Sequence, residues 1–107
     1  MRMLKLAVPF ASKYGAPVNV IRVSRFPATG QLALIAREAG GGEVRLSVAL
    51  EGVTLAPNEA LIKDYSEGEG NLDGLIRSGV VEPTGVGVMS GWVTLPVVRV
   101  IHPDFIP

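Results

Sequence analysis

The hydrophobic positions of this chain recur with two periods, and the shorter one dominates. Residues 43–50, EVRLSVAL, alternate strictly, with Val44, Leu46, Val48 and Leu50 on one side and Glu43, Arg45, Ser47 and Ala49 on the other. That pattern predicts one half-buried strand. Leu32–Glu38 is a second strand-like run, and Gly40, Gly41 and Gly42 between the two predict a hairpin with a loose loop. Residues 18–26 are rich in β-branched side chains and end at a turn, Pro27-Ala28-Thr29-Gly30. Together with LKLAVPF at 4–10 as a first strand, these runs predict a meander. Further on, 60–63 reads as a short strand, Gly85-Val86-Gly87 as a turn, and 91–101, GWVTLPVVRVI, as a strand apolar on both faces. Pro96 removes a ladder donor there and favours an edge or a bulge. The tail, HPDFIP, reads as irregular. No repeat or linker marks a boundary, so residues 1–107 read as a single domain.

Period 3.6 occurs once. Leu72, Leu75 and Ile76 have the i, i+3, i+4 spacing of a helix face. Ser66 and Glu69 stand at capping-box spacing, so Ser66 is the expected N-cap. Glu67, Glu69 and Asp73 fall where the helix dipole favours negative charge, Arg77 lies in the last turn, and Gly79 is placed as the C′ residue. Gly68, Gly70 and Gly74 weaken the segment, each by up to about 1 kcal/mol against Ala. By that reasoning Gly74→Ala should stabilise, provided residue 74 has helical dihedrals and no close neighbour. The expected fold is α+β: a mostly antiparallel β-sheet of five to seven strands with one short helix, 67–78, packed on it by Leu72, Leu75 and Ile76.

Composition narrows the chemistry. Lys+Arg and Asp+Glu are equal at 10 each, so no basic excess supports binding to nucleic acid or an anionic membrane. Cysteine is absent, which removes disulfides, thiolate nucleophiles and Cys-ligated zinc, and fits a cytoplasmic location. Lys5 and Pro9 interrupt the N-terminal apolar run before it reaches signal-peptide length. No apolar run approaches the ~20 residues of a membrane-spanning helix.

Motifs add little. Counted from Asp64, a calcium loop has Glu69 where Gly belongs and Leu75 where the bidentate Glu belongs. The glycines at 68, 70 and 74 have the wrong spacing for a dinucleotide fingerprint, and no P-loop Lys-Ser/Thr follows. No metal or cofactor is therefore expected. Paired carboxylates within 64–73 could serve acid–base hydrolysis. His102 lacks a nucleophile elbow around it. Tyr65 and Trp92 are aromatic side chains able to stack on a base or sugar.

Residues 62–85, IKDYSEGEGNLDGLIRSGVVEPTG, with Gly91-Trp92-Val93 and Pro96-Val97-Val98-Arg99 downstream, resemble a family of small uncharacterised bacterial proteins also carried by phages and plasmids. The resemblance covers about 57–100. In that family Asn commonly stands where this chain has Gly68, and a helix-favouring residue where it has Gly74. The resemblance transfers no catalytic residue. It implies a compact accessory or anti-defence protein of a mobile element that acts by contacting a host protein. The surface expected to make that contact is the 63–73 knuckle: Lys63, Asp64, Tyr65, Glu67, Glu69 and Asp73. The alternative is a small-molecule or nucleotide binder with Tyr65, Trp92 and Arg99 around a pocket between helix and sheet; a hydrolase using the carboxylates comes third. The two-faced apolar strand at 93–101, read as an edge, also predicts an isologous homodimer across it.

Overall fold

The computed structural model describes residues 2–13, 15–38 and 40–105, Arg2 through its backbone alone. It has two four-stranded antiparallel sheets and one short helix. The first sheet is the expected meander: β1 (Arg2–Phe10), β2 (Val18–Arg25), β3 (Leu32–Glu38) and β4 (Glu43–Arg45), in that order. The second contains β5 (Ser47–Val48), β6 (Glu59–Ile62), β7 (Val81–Ser90) and β8 (Val93–Val100), in the order β5-β6-β8-β7. Eight strands are thus present among the described residues, more than the five to seven expected. The strand that the sequence conceals is β7, whose Pro83, Gly85 and Gly87 read as turn residues. The hydroxyl of Thr84 compensates there: it donates to the Val97 carbonyl at 2.8 Å and accepts from the Val86 amide at 3.2 Å, across a bulge between Pro83 and Gly87.

The alternation at 43–50 is not one strand. It breaks at Leu46, where the chain steps from the first sheet to the second. The Leu46 amide donates to the Leu34 carbonyl at 2.8 Å, and its own carbonyl accepts from the Lys63 amide at 2.9 Å, so one residue joins both sheets. Ser47, expected outside, is fully buried. Its hydroxyl accepts from the Leu34 amide at 2.8 Å and donates to the Leu32 carbonyl at 3.0 Å. A side chain thereby takes the place of ladder partners where β3 and the departing strand separate, and a small buried hydroxyl so satisfied needs no water.

The main core lies between the sheets. Leu4, Leu6, Ile21, Leu34, Ile62 and Val98 are among its buried members. A smaller cluster, Leu61, Leu95 and Val97, lies on the other face of the second sheet under Leu50, Leu55 and Tyr65. This second cluster corrects the edge assignment for 93–101. β8 is an inner strand, apolar on both faces because both faces are covered, and the edge argument for a dimer goes with it. Pro96 fits because β6 reaches only Val97–Arg99 along β8, so the proline lies past the end of that pairing, opposite Gly87.

The helix is shorter than expected. α1 spans Asn71–Arg77, preceded by a single 3-10 turn at Ser66–Gly68. Leu75 is buried in the main core and Leu72 packs against it, but Ile76 is 36% exposed; Asn71 and Gly74 take the buried positions instead. The C-terminus follows the sequence reading. Gly79 has φ +79°, its amide donates to the Ile76 carbonyl at 3.1 Å, and the Val80 amide donates to that of Leu75 at 3.1 Å. These two bonds make a complete Schellman motif, with Leu75 and Val80 as its buried apolar pair.

Candidate functional site

Every side chain bet on in the 63–73 knuckle has an internal contact. Ser66 is not the N-cap of α1: it sits at φ +52° in the preceding turn, and Gly70, at φ +98°, occupies the cap position without a side-chain bond. The capping oxygen comes from Asp64. Its Oδ1 accepts from the Gly70 amide at 3.1 Å and the Leu72 amide at 3.0 Å, meeting two of the orphan donors at the helix start. The Asn71 amide group donates to the Lys63 carbonyl at 2.9 Å and locks the loop from beneath. Glu67 pairs with Lys63, Asp73 with Arg77 at 3.0 Å, and Glu69 with Lys13 at 3.3 Å. The Lys13 amide also donates to the Glu69 carbonyl at 2.7 Å, tying the knuckle to the β1–β2 connection. The hydrogen bond from Lys63, more than any other cause, holds the Glu67 carboxyl below its ordinary range. A general acid needs the opposite shift. The described residues hold no group of three or more His, Asp or Glu side chains placed to share a metal ion.

The aromatic set does not converge on one ligand. Tyr65 packs over the smaller core cluster, with the Lys63 ammonium 5.7 Å from its ring centre. Arg99 donates to Glu82 at 2.6 Å across the β7–β8 pair. Trp92 lies seven residues along the same strand direction, about 23 Å away at the rise of a β-strand. His102 is also committed. Its Nδ1 accepts from the Asp104 amide at 3.1 Å, so its Nε2 carries the proton that bonds the Lys5 carbonyl at 2.8 Å, pinning the tail to β1.

What stands apart is the β7–β8 arm. Beyond β6 the two strands continue as a hairpin closed by a two-residue loop, Gly91-Trp92, between the paired Ser90 and Val93. Gly91 has φ +61°, the positive value that tight hairpin loops require. The loop projects the Trp92 indole fully into solvent, and Met89 and Val86, further back along β7, are 68% and 58% exposed. Residues 83–98 carry no charged side chain. Trp92 was named from the sequence for stacking, but Met89 and Val86 were missed because 85–87 reads as a turn. The absence of charge over that length was the available signal.

Clefts among the described residues lie away from the arm. One of about 420 Å³ lies between the end of β1 (Val8, Phe10) and α1 (Gly74, Arg77); another of about 510 Å³ lies between Arg25 and the connection at 53–57. Neither is lined by Tyr65, Trp92 or Arg99. No helix of the described residues is long and apolar enough to cross a membrane. Compared with family models, curated proteins and solved structures, the chain matches none.

Proposed function

We propose that this protein is a non-catalytic binding module that docks on a partner protein through the tip of the β7–β8 arm, and that, in line with the family resemblance, the partner is a host protein met by a mobile element. The observation that supports this reading is the fully exposed Trp92 at the tip of an arm that carries no charge over residues 83–98. Tryptophan is the side chain most enriched at interface hot spots, because it buries a large rigid surface with few torsions to freeze. Here the hairpin fixes the backbone beforehand, which lowers the ordering cost of association. The knuckle, whose charges are matched internally, keeps a structural part.

The test is affinity capture with three baits of equal melting temperature: the native chain, Trp92→Ser and Glu67→Gln. A partner bound through the arm is retained by the native and Glu67→Gln baits and lost from Trp92→Ser, with affinity falling about 30-fold or more for a hot-spot loss of about 2 kcal/mol. Equal retention by all three contradicts the reading.

One observation favours a small-molecule reading: the cleft between β1 and α1 falls in the volume range of ligand pockets. A ligand there should raise the melting temperature by mass action. Arg77→Ala should remove that rise, and Trp92→Ser should leave it in place.

A further inference from the structure

The zero net charge hides a strong polarity. Residues 1–45, which build the first sheet, carry seven Lys/Arg against two Asp/Glu, a net of +5; residues 46–107 carry three against eight, a net of −5. The register of the first sheet places much of the positive half on one surface. Met3, Arg22, Ile35 and Arg45 form one row across the four strands, and Lys5, Val20, Arg37 and Glu43 form the next. Their strand neighbours Leu4, Ile21, Leu34 and Ala36 point into the core, so these rows make up the outer face. Arg22 spends its charge on Glu43, donating through Nε at 3.1 Å and Nη2 at 3.2 Å. Among the described residues no carboxylate forms an ion pair with Lys5, Arg37 or Arg45, all exposed, although Glu43, opposite Arg37 in the β3–β4 register, feels the Arg37 charge. Arg45 lies over the Phe26 ring, 5.4 Å from its centre.

Apolar side chains fill the gaps between these cations: Met3 is exposed, and Val20 and Ile35 are half-buried. An antiparallel sheet often leaves one face to solvent, but on this one apolar side chains alternate with the cations. α1 does not cover it, because Leu75 carries the helix into the core between the sheets.

We propose that the outer face of the first sheet is a second docking surface, shaped for an acidic amphipathic helix of a partner protein. The face spans about 14 Å across four strands, which one helix laid over it can cover. Carboxylates along the flanks of such a helix meet the guanidinium forks of Arg37 and Arg45, while its apolar stripe meets Met3, Val20 and Ile35. A nucleic-acid strand fits less well. It leaves the apolar gaps unused and calls for aromatic platforms, whereas Phe26 lies beneath Arg45. The surface is separate from the arm tip in position and in the chemistry it reads, so either can fail while the other stands.

The test uses a fluorescein-labelled synthetic peptide with Leu at helical spacing and Glu elsewhere, read by anisotropy against the full chain. Saturable binding is expected, weaker at physiological than at low ionic strength. It should fall about tenfold or more in Arg37→Glu/Arg45→Glu, with Arg37→Gln/Arg45→Gln intermediate should the reversal disturb folding. The same peptide with Lys in place of Glu should bind the doubly reversed chain and not the native one. Absence of binding, or indifference to the double reversal, overturns the proposal. Tighter binding of an oligothymidine assigns the face to nucleic acid instead, and light scattering that shows the face covered by a second copy assigns it to self-association; both outcomes overturn the proposal.

Discussion

Gly74 lies mid-helix, where propensity alone favours alanine by up to about 1 kcal/mol. Packing reverses that sign. A Cβ built at Gly74 falls 2.2 Å from Cδ2 of Phe10, a buried ring that closes the core beside β1. Gly74→Ala should therefore destabilise by about 1–3 kcal/mol, the range for an overpacked core, as read by denaturant melts. The local pattern could not show this, because the obstructing ring is 64 residues upstream. The cap behaves similarly. Asp64→Ala removes the acceptor of two helix-start amides and should cost about 1–2 kcal/mol, whereas Ser66→Ala should stay within about 0.5 kcal/mol. Ser-x-x-Glu spacing was legible, but Ser66–Gly68 form a separate 3-10 turn and α1 starts only after Gly70, so Ser66 stands ahead of the cap position. Two exposed carboxylates give a pH signature. The hydrogen bond from Arg22, before other causes, lowers the Glu43 pKa from 4.5, and that from Lys63 lowers the Glu67 pKa from the same value. A lowered folded-state pKa contributes stability that is present above the unfolded value and lost as pH falls through the folded one. Stability should thus decline, shallowly for exposed groups, as pH drops below about 4.5, and Glu43→Gln with Glu67→Gln should flatten that part of the profile.

Among the elements, the meander β1 to β3, the short β6 and the Schellman end of α1 could all be read locally, because each rests on alternation or on a turn residue close in sequence. The failures share a cause: the deciding partner is distant. Ser47 looks like an outward residue of a regular strand until Leu32 and Leu34 are placed beside it. Ser47→Ala leaves that amide and carbonyl without their partner, and should cost about 1–3 kcal/mol in equilibrium unfolding. β7 looks like a loop until β8 is placed beside it. Since β6 flanks β8 only over Val97–Arg99, the outer arm has one neighbouring strand fewer. Amides at 86–95 should exchange with solvent faster than those at 97–100 under native conditions, as hydrogen exchange can resolve. Uniform protection along β8 would mean that pairing with β6 adds no protection at 97–99.

At the scale of the whole molecule, an internally balanced knuckle, a cationic sheet face and an uncharged arm divide the surface into regions of different chemistry. The equal totals of acidic and basic residues concealed the second of these, although the split between the first 45 residues and the rest was present in the sequence. The docking role proposed for the arm depends on Trp92, the chain's single tryptophan, so in the free chain its fluorescence reports on the tip alone. In the purified protein the emission should be that of a solvated indole, quenched freely by acrylamide. With 5-hydroxytryptophan in place of Trp92, excited apart from the partner's own tryptophans, the emission in the complex recovered with that bait should lose most of that quenching. A tip that stays as solvent-accessible in the complex as in the free chain would contradict docking through the arm.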